Sequence, residues 1–169
     1  MSTMSVELSM SSELSMLLHH QIDQLNAAYA AALDDKRFDD WPLFFLENGS
    51  YKIQARENFD RKLPLALMAL ESQGMMKDRV YGVTQTIFHA PYYTRHVLGP
   101  CRVVGVEGDV MHVETNYAVF RTKPGGVSEV YNVGRYIDVV HKKGDMLLYS
   151  SRLCVYDSEM VLNSLIYPI

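Results

Sequence analysis

The chain has few of the features that mark the common classes of enzyme and binding protein. Its 169 residues include two cysteines, Cys101 and Cys154, which are too few and too far apart in sequence for a disulfide framework and fit buried free thiols. Lysine and arginine never form a run longer than two, and the net charge is −4, so a basic surface for nucleic acid is not expected. No apolar run approaches the roughly 20 residues that span a bilayer, so no membrane partner is expected.

Motifs that would hold a cofactor are also lacking. The sequence contains no His-Glu-x-x-His, Cys-x-x-Cys or Cys-x-His pattern, which excludes zinc and iron–sulfur sites built from local motifs. It contains no nucleophile elbow and no glycine-rich nucleotide loop. His19 and His20 are adjacent on a predicted helix, about 100° apart around its axis, and so cannot easily share one metal ion. We therefore expect no metal ligands and no catalytic residues of a recognisable local type.

The first sixteen residues, Met1 to Met16, are rich in methionine and serine and carry Glu7 and Glu13 without any lysine or arginine. This composition differs from that of signal and transit peptides. We predict a flexible tail over residues 1–12, a single domain over residues 13–169, and a cytoplasmic location.

The region from Arg95 to Asp157 shows the alternation of apolar and polar residues that is typical of half-buried strands. Turn-forming residues divide it at positions 107–109, 123–126 and 142–145. It predicts four long antiparallel strands. The alternation places the following side chains on one face of their strand: Met111, Val113, Thr115, Tyr117 and Val119, then Tyr131, Val133, Ile137 and Val139, then Leu147, Tyr149, Leu153 and Val155.

The front half is predicted to be mainly helical. Helices are expected over residues 12–32, 39–45, 64–74 and 76–88, with one strand over 50–55 and a polar loop over 56–62. The helix over 64–74 is apolar on every side and should be buried nearly all round. Helices followed by a meander predict an α+β fold, in which N-terminal helices pack in a strongly curved, mostly antiparallel sheet that forms a cone.

Several charged residues lie within apolar sequence, where burial would require a partner of opposite charge. They could be general acids and bases in the pocket of a dehydratase or isomerase, or an ion-pair network that braces the cone or an interface. A small-ligand-binding module without chemistry is a further alternative. The residues alone leave these interpretations open. The charged positions are Asp78, Arg79, Arg95, His96, Arg135, Asp138, Arg152 and Asp157.

The order of several segments resembles the small, or beta, subunits of Rieske non-haem iron aromatic-ring-hydroxylating oxygenases. The resemblance covers roughly residues 17–169 and implies the cone fold of nuclear transport factors. Three further segments, 56–58, 116–122 and 167–169, are most similar to the small subunits of salicylate 5-hydroxylase-type enzymes. The segments that carry the family resemblance are Trp41–Tyr51, Lys77–Val80, Tyr93–Gly99 and Arg152–Ser158.

The resemblance implies a non-catalytic subunit that stabilises a hexamer of three small and three large subunits in the catabolism of aromatic compounds. The large subunit would carry the Rieske iron–sulfur cluster and the mononuclear iron, and a ferredoxin and a reductase would act through it. This chain would hold no cofactor. The resemblance further implies structural or interface roles for a polar set, which Asp157 joins as a charged neighbour: Asp78, Arg79, Arg95, His96, Arg152 and Asp157.

A meander of long strands leaves one sheet face that the front-half helices cannot cover. We expect that face to offer large aromatic residues and to be an interface. Depending on the parity of the strands, these would be Phe120 and Tyr136, or Tyr117, Tyr131 and Tyr149.

Overall fold

The computed structural model describes residues 12–158 and 165–169 of the chain. The predicted tail over residues 1–12 lies outside the described residues, apart from Ser12 at the start of the first helix. The elements, in chain order, are helix α1 (Ser12–Asp34), a 3₁₀ turn (Trp41–Phe44), β1 (Phe45–Ala55), α2 (Arg56–Asp60), β2 (Met68–Leu70), α3 (Gln73–Tyr81), a π-helical turn (Gly82–Thr86), β3 (Tyr93–Leu98), β4 (Arg102–Glu107), β5 (Val110–Thr122), β6 (Ser128–Lys143) and β7 (Met146–Tyr156).

The strands form one curved sheet in the order β2-β1-β7-β6-β5-β3, with β4 also paired to β5. Strand β1 runs parallel to β7, and every other pairing is antiparallel. Strands β3 and β4 pair with opposite halves of β5, because residues 99–101 interrupt the chain between them. The α+β class and the curved, mostly antiparallel sheet are confirmed.

Helix α1 lies in the curve of the sheet and supplies one side of the core. Its apolar residues recur every three or four positions, so Ile22, Tyr29 and Leu33 form one continuous buried stripe. The ring of Tyr29 makes edge-to-face contacts with rings of β1, β6 and β7, at centroid distances of 5.8 to 6.4 Å. Trp41 of the 3₁₀ turn is also fully buried, as its position in the predicted second helix suggested. These aromatic side chains fill the space between helix and sheet.

The prediction of a buried helix over residues 64–74 is wrong. Residues 64–67 are irregular, Met68–Leu70 pair with β1 as a short edge strand, and the side chains of Leu65 and Leu67 are exposed. Helix α3 instead begins at Gln73, where the Ser72 side chain accepts the backbone N–H of Met75 as an N-cap. The apolar residues of this stretch are numerous enough for a helix, so the sequence predicts one. Pairing of Met68–Leu70 with β1 instead decides the conformation.

Other element boundaries also differ from the prediction. The strand predicted over 50–55 begins earlier, as β1, the helix predicted over 39–45 is the 3₁₀ turn, and the loop predicted over 56–62 contains α2. The final predicted helix, over 76–88, is α3 followed by a π-helical turn that ends at Thr86. The four predicted strands are five, because the first of them divides into β3 and β4 at Gly99 and Pro100. Proline has no N–H to donate to a sheet ladder, which explains the division. The three predicted turns lie where expected, with Gly108, Gly125 and Gly144 at positive φ.

Two β-bulges change which side chains of β6 and β7 point inward. Strand β5 follows the prediction, and its residues from Met111 to Val119 alternate between buried and half-exposed. Tyr131 has no partner residue in the pairing of β5 with β6, and Ser150 has none in the pairing of β6 with β7, so each is the extra residue of a bulge. The inward residues of β6 beyond the first bulge are therefore Asn132, Gly134, Tyr136, Asp138 and Val140, and the inward residues of β7 on either side of the second bulge are Tyr149, Arg152 and Cys154. The predicted grouping of Tyr131 with Val133, Ile137 and Val139 on one face, and of Tyr149 with Leu153, is therefore wrong.

The outer face of the sheet is aliphatic more than aromatic. Five aromatic residues were candidates for this face. Four of them are buried, namely Tyr117, Tyr131, Tyr136 and Tyr149, and of the five only Phe120 lies on the outer face, where it is half-buried. That part of the expectation is wrong. Among the described residues, no helix is both long and apolar enough to cross a membrane.

Candidate functional site

A fully buried ion pair joins Arg152 of β7 to Asp138 of β6, which face each other across the two strands. Nε and one terminal nitrogen of Arg152 donate to the two carboxylate oxygens of Asp138 at 2.9 and 2.7 Å. Burial by itself lowers the pKa of Arg152, but the neighbouring carboxylate outweighs burial and raises that pKa well above its usual value. The guanidinium therefore stays charged. Burial raises the pKa of Asp138 above its usual value, although the charge and hydrogen bonds of Arg152 act to lower it.

Three tyrosine rings surround the Arg152 guanidinium. Its central carbon lies 4.1 Å from the ring centres of Tyr29 and Tyr149 and 4.0 Å from that of Tyr136. The terminal nitrogen Nη2 of Arg152, which donates to Asp138, also donates to the Tyr149 hydroxyl at 2.8 Å. Cation–π contacts of this kind are strongest when the cation is removed from water, as it is here.

Asn26 links this arrangement to helix α1. Its side-chain oxygen accepts from Arg152 at 2.5 Å and from the Tyr149 hydroxyl at 2.7 Å, while its amide donates to Thr115 of β5 at 3.2 Å. One set of hydrogen bonds thus connects α1 with β5, β6 and β7. We call these residues the arginine cluster: Asn26, Tyr29, Thr115, Tyr136, Asp138, Tyr149 and Arg152.

A second polar contact joins the end of α1 to β3. The Asp34 carboxylate accepts from His96 Nδ1 at 2.6 Å and from the His96 backbone N–H at 2.9 Å, and the His96 side chain is fully buried. Burial raises the pKa of Asp34, yet hydrogen bonding and charge from His96 outweigh burial and lower it below its usual value. Arg95 lies 3.9 Å from the same carboxylate but is largely exposed. This contact closes the outer edge of β3, so it has a structural explanation.

The six residues of the predicted polar set lie at several separate places. Arg152 is in the arginine cluster, and His96 and Arg95 are at the end of α1. Arg79 of α3 donates to the backbone carbonyl oxygens of Leu165 and Ile166, at 3.3 and 2.6 Å. Asp78 is exposed, and Asp157 makes an exposed ion pair with Arg56 at 3.2 Å. The expectation that these charges are buried therefore does not hold for Asp78, Arg95 and Asp157.

Residues 165–169, which we call the 165–169 segment, lie inside the cone. Ile169 is fully buried, and the hydroxyls of Tyr29 and Tyr51 both donate to its carbonyl oxygen, at 2.8 and 2.9 Å. Trp41 Nε1 in turn donates to the Tyr29 hydroxyl at 3.2 Å. The chain's own residues thus occupy the interior that a ligand would need.

Two grooves lie on the outside of the described structure. One, of about 570 Å³, runs over strands β4 to β6 and includes Glu107 and His112, and the other, of about 630 Å³, lies beside α3 and includes Asp39 and Lys77. Among residues 12–158 and 165–169, no cluster of His, Cys, Asp and Glu has the geometry of a metal site. Both cysteines are buried free thiols.

Sequence reasoning missed most partners of Arg152. Asn26 and Tyr29 fall at helical spacing on α1, but their local pattern does not identify them as partners of a residue on β7. Tyr149 was treated only as an apolar strand residue. One signal in the sequence could have identified Asn26. It lies at helical spacing between the apolar residues Ile22 and Tyr29, and a polar side chain on a buried helix face needs hydrogen-bond partners.

A helix held in a strongly curved sheet, with an interior filled by aromatic side chains, defines a cone-fold protein of the nuclear-transport-factor-like class. The chain belongs to the ring hydroxylating beta subunit family, whose model matches residues 28–163. The family resemblance of the sequence is therefore confirmed.

Individual relatives agree with this assignment. The small subunit of anthranilate 1,2-dioxygenase from Burkholderia cepacia is 32% identical over 149 residues, covering 88% of this chain and 92% of that protein. A solved structure, the beta subunit of a proposed aromatic-ring-hydroxylating dioxygenase from Novosphingobium aromaticivorans, is 37% identical with a TM-score of 0.85, covering 92% of this chain and 99% of the other.

The cone fold also occurs in other proteins. A proposed scytalone dehydratase from Novosphingobium aromaticivorans superposes with a TM-score of 0.68 at 14% identity, covering 88% of this chain and 89% of the other. At that identity the likeness concerns the fold alone.

Proposed function

We propose that this chain is the non-catalytic small subunit of a Rieske-type aromatic-ring-hydroxylating oxygenase, and that it stabilises the assembly with an iron-bearing large subunit. The filled cone is the observation that carries the proposal. Arg152, Tyr136, Tyr149 and Ile169 are fully buried in the space where a cone-fold enzyme would bind its substrate. A dehydratase, an isomerase or a ligand-binding module needs that space, so the filled interior favours a structural role.

The outer face of the sheet offers a surface for the large subunit. Paired residues on β3, β5 and β6 place Val97 beside Ala118, Ala118 beside Val133, and Phe120 beside Val130. Contiguous apolar surface of this kind is uncommon on a monomer and marks interfaces. We call it the outer apolar surface: Val97, Ala118, Phe120, Val130 and Val133, of which Val97, Val130 and Val133 are exposed, with the exposed Arg95 beside Phe120 at its edge.

The assembly would contain three small and three large subunits in the cytoplasm, with a Rieske cluster and a mononuclear iron in each large subunit. A ferredoxin and a reductase would supply electrons to the large subunit. Relatives described as small subunits of anthranilate 1,2-dioxygenase and as a beta subunit of terephthalate 1,2-dioxygenase support this class of partner. The segments at 56–58, 116–122 and 167–169 point to a salicylate 5-hydroxylase-type enzyme.

The test is co-expression with the large subunit encoded beside it, followed by size-exclusion chromatography with light scattering. Val130→Asp and Val133→Asp should each lower the recovered complex by about tenfold or more, because a charge in the core of an interface loses its hydration. Val104→Asp is the matched control, since Val104 is an exposed valine on β4 at the other half of β5.

Complex recovery that stays at the wild-type level with both outer-surface variants would contradict the assignment of this surface. A small subunit that elutes alone beside its large subunit would contradict the proposed function.

A further inference from the structure

The 165–169 segment is held by side chains, as a bound peptide would be. Among the described residues it pairs with no strand, and its polar contacts are made by side chains of α1, β1, α3, β7 and the connector before β3. The Tyr51 hydroxyl both donates to the Ile169 carbonyl oxygen and accepts the Ile169 N–H, at 2.9 and 2.8 Å. Together with the Tyr29 hydroxyl, it makes a receptor for one acceptor oxygen.

An aromatic slot holds the side chain of Tyr167. Its ring centre lies 4.8 Å from that of Phe38 and 4.4 Å from that of Tyr92, and its hydroxyl lies 2.7 Å from His89 Nε2. The slot therefore suits an aromatic ring, which contacts the rings of Phe38 and Tyr92. It also suits a hydroxyl on that ring, which forms one hydrogen bond with His89. All three neighbours lie far from Tyr167 in sequence.

Arg79 gives the same site an excess of positive charge. It donates to two carbonyl oxygens of the segment, its Nε is buried without a hydrogen-bond partner, and no carboxylate of the described residues lies within ion-pair distance of it. Because the Arg79 guanidinium donates only to peptide carbonyl oxygens, it favours a ligand with several hydrogen-bond acceptors.

We propose that the interior of the cone is a peptide-binding site, and that the 165–169 segment occupies it as a ligand in cis. The site takes a peptide with a hydroxyaromatic side chain two residues ahead of an acceptor oxygen. The oxygen binds Tyr29 and Tyr51, the aromatic ring binds between Phe38 and Tyr92, and Arg79 binds the preceding carbonyl oxygens. Such a ligand leaves and rebinds as a unit while the sheet and α1 stay folded.

The two cysteines distinguish departure of the segment from global unfolding. Cys154 is fully buried, with Sγ 3.6 Å from the Ile169 carbonyl oxygen. Cys101 is buried elsewhere, against Asp23 and His19 of α1. Burial raises the pKa of each thiol to about 12, so neither reacts with thiol reagents while it is covered.

The experiment measures the labelling rate of each cysteine in the full chain with iodoacetamide, by peptide mass spectrometry. Tyr167→Ala should speed the labelling of Cys154 by at least about 100-fold, because a buried aromatic anchor is lost, and should leave Cys101 within about twofold. Addition of the free peptide Leu-Ile-Tyr-Pro-Ile should slow Cys154 again, whereas Leu-Ile-Ala-Pro-Ile should not. Tyr167→Phe, which keeps the ring and loses the bond to His89, should speed Cys154 about 5- to 10-fold.

Equal acceleration of both cysteines would overturn the proposal, because the segment would then be an inseparable part of the core. Failure of the free wild-type peptide to protect Cys154 would overturn it as well. If Tyr167→Ala does not fold, the same two criteria apply to Tyr167→Phe. These outcomes are measured without the large subunit, whereas the proposed function is tested by recovery of the complex with it, so failure of one proposal is distinguishable from failure of the other.

Discussion

Replacing Arg152 by methionine should be among the most damaging single changes in this protein. The substitution leaves the Asp138 carboxylate fully buried without its partner, and the loss of one member of a buried ion pair costs about 3–5 kcal/mol. Tyr149 and Asn26 lose a charged donor at the same time. Because a domain of this kind is stable by about 5–15 kcal/mol, the change should remove a large part of its stability.

The double variant Arg152→Met, Asp138→Leu separates the ion pair from the packing around it. With both charges removed, no charge is buried without a partner, and the cost should fall to less than about 2 kcal/mol. The two substitutions should therefore be non-additive by about 3 kcal/mol or more. Arg56→Met is the matched control, because its pair with Asp157 is exposed and should be worth less than about 1 kcal/mol.

Urea unfolding of the isolated subunit, followed by circular dichroism, gives these free energies. Single-variant costs below about 1 kcal/mol would show that the arginine cluster does not hold the cone together. A double variant as destabilised as the sum of its singles would show that the charges act independently, and it would refute the argument from desolvation.

Three further predictions concern other parts of the molecule. Because the pKa of Asp34 is lowered in the folded state, its contribution is present above the unfolded pKa of about 3.9 and is lost as the pH falls through the folded value. Urea midpoints between pH 3 and 6 should therefore fall more steeply on acidification for the wild type than for Asp34→Asn, and parallel curves would contradict this. Gly134→Ala should lower the free energy of unfolding by about 1–3 kcal/mol or more, because a Cβ there would lie 2.0 Å from the Val155 carbonyl oxygen, and an unchanged urea midpoint would disprove the clash. The chain purified alone should hold no stoichiometric iron by elemental analysis, because its Cys and His spacing suits no iron site, and about one iron per chain would refute this.

Local pattern was sufficient where a single element decides its own conformation. The helical spacing of apolar residues that include Ile22 and Tyr29 predicts α1, and the alternation from Met111 to Val119 predicts β5 and the side chains that share one of its faces. The turns at Gly108, Gly125 and Gly144 follow from glycine chemistry in the same way. Each of these signals depends on residues within one turn or a few positions of one another.

The run from Leu63 to Leu70 shows where local pattern is insufficient. Eight apolar residues are compatible with a buried helix or with an edge strand, and only the pairing of Met68–Leu70 with β1 decides between them. The bulges at Tyr131 and Ser150 are similar, because an extra residue exists only relative to a partner strand. One such residue reverses the side to which every later side chain points.

Periodicity and the order of segments along the chain are enough to predict the α+β class, the family and the main strands of the sheet. Which charges are buried depends on how these elements pack. Arg152 and Arg95 look alike in sequence, yet one is enclosed by three tyrosines that come from α1, β6 and β7, and the other is exposed beside Asp34. Contacts between distant parts of the chain decide which side chains are buried, which partner each charge has and how residues 165–169 fill the cone. Those contacts exist only once the sheet has curved around α1.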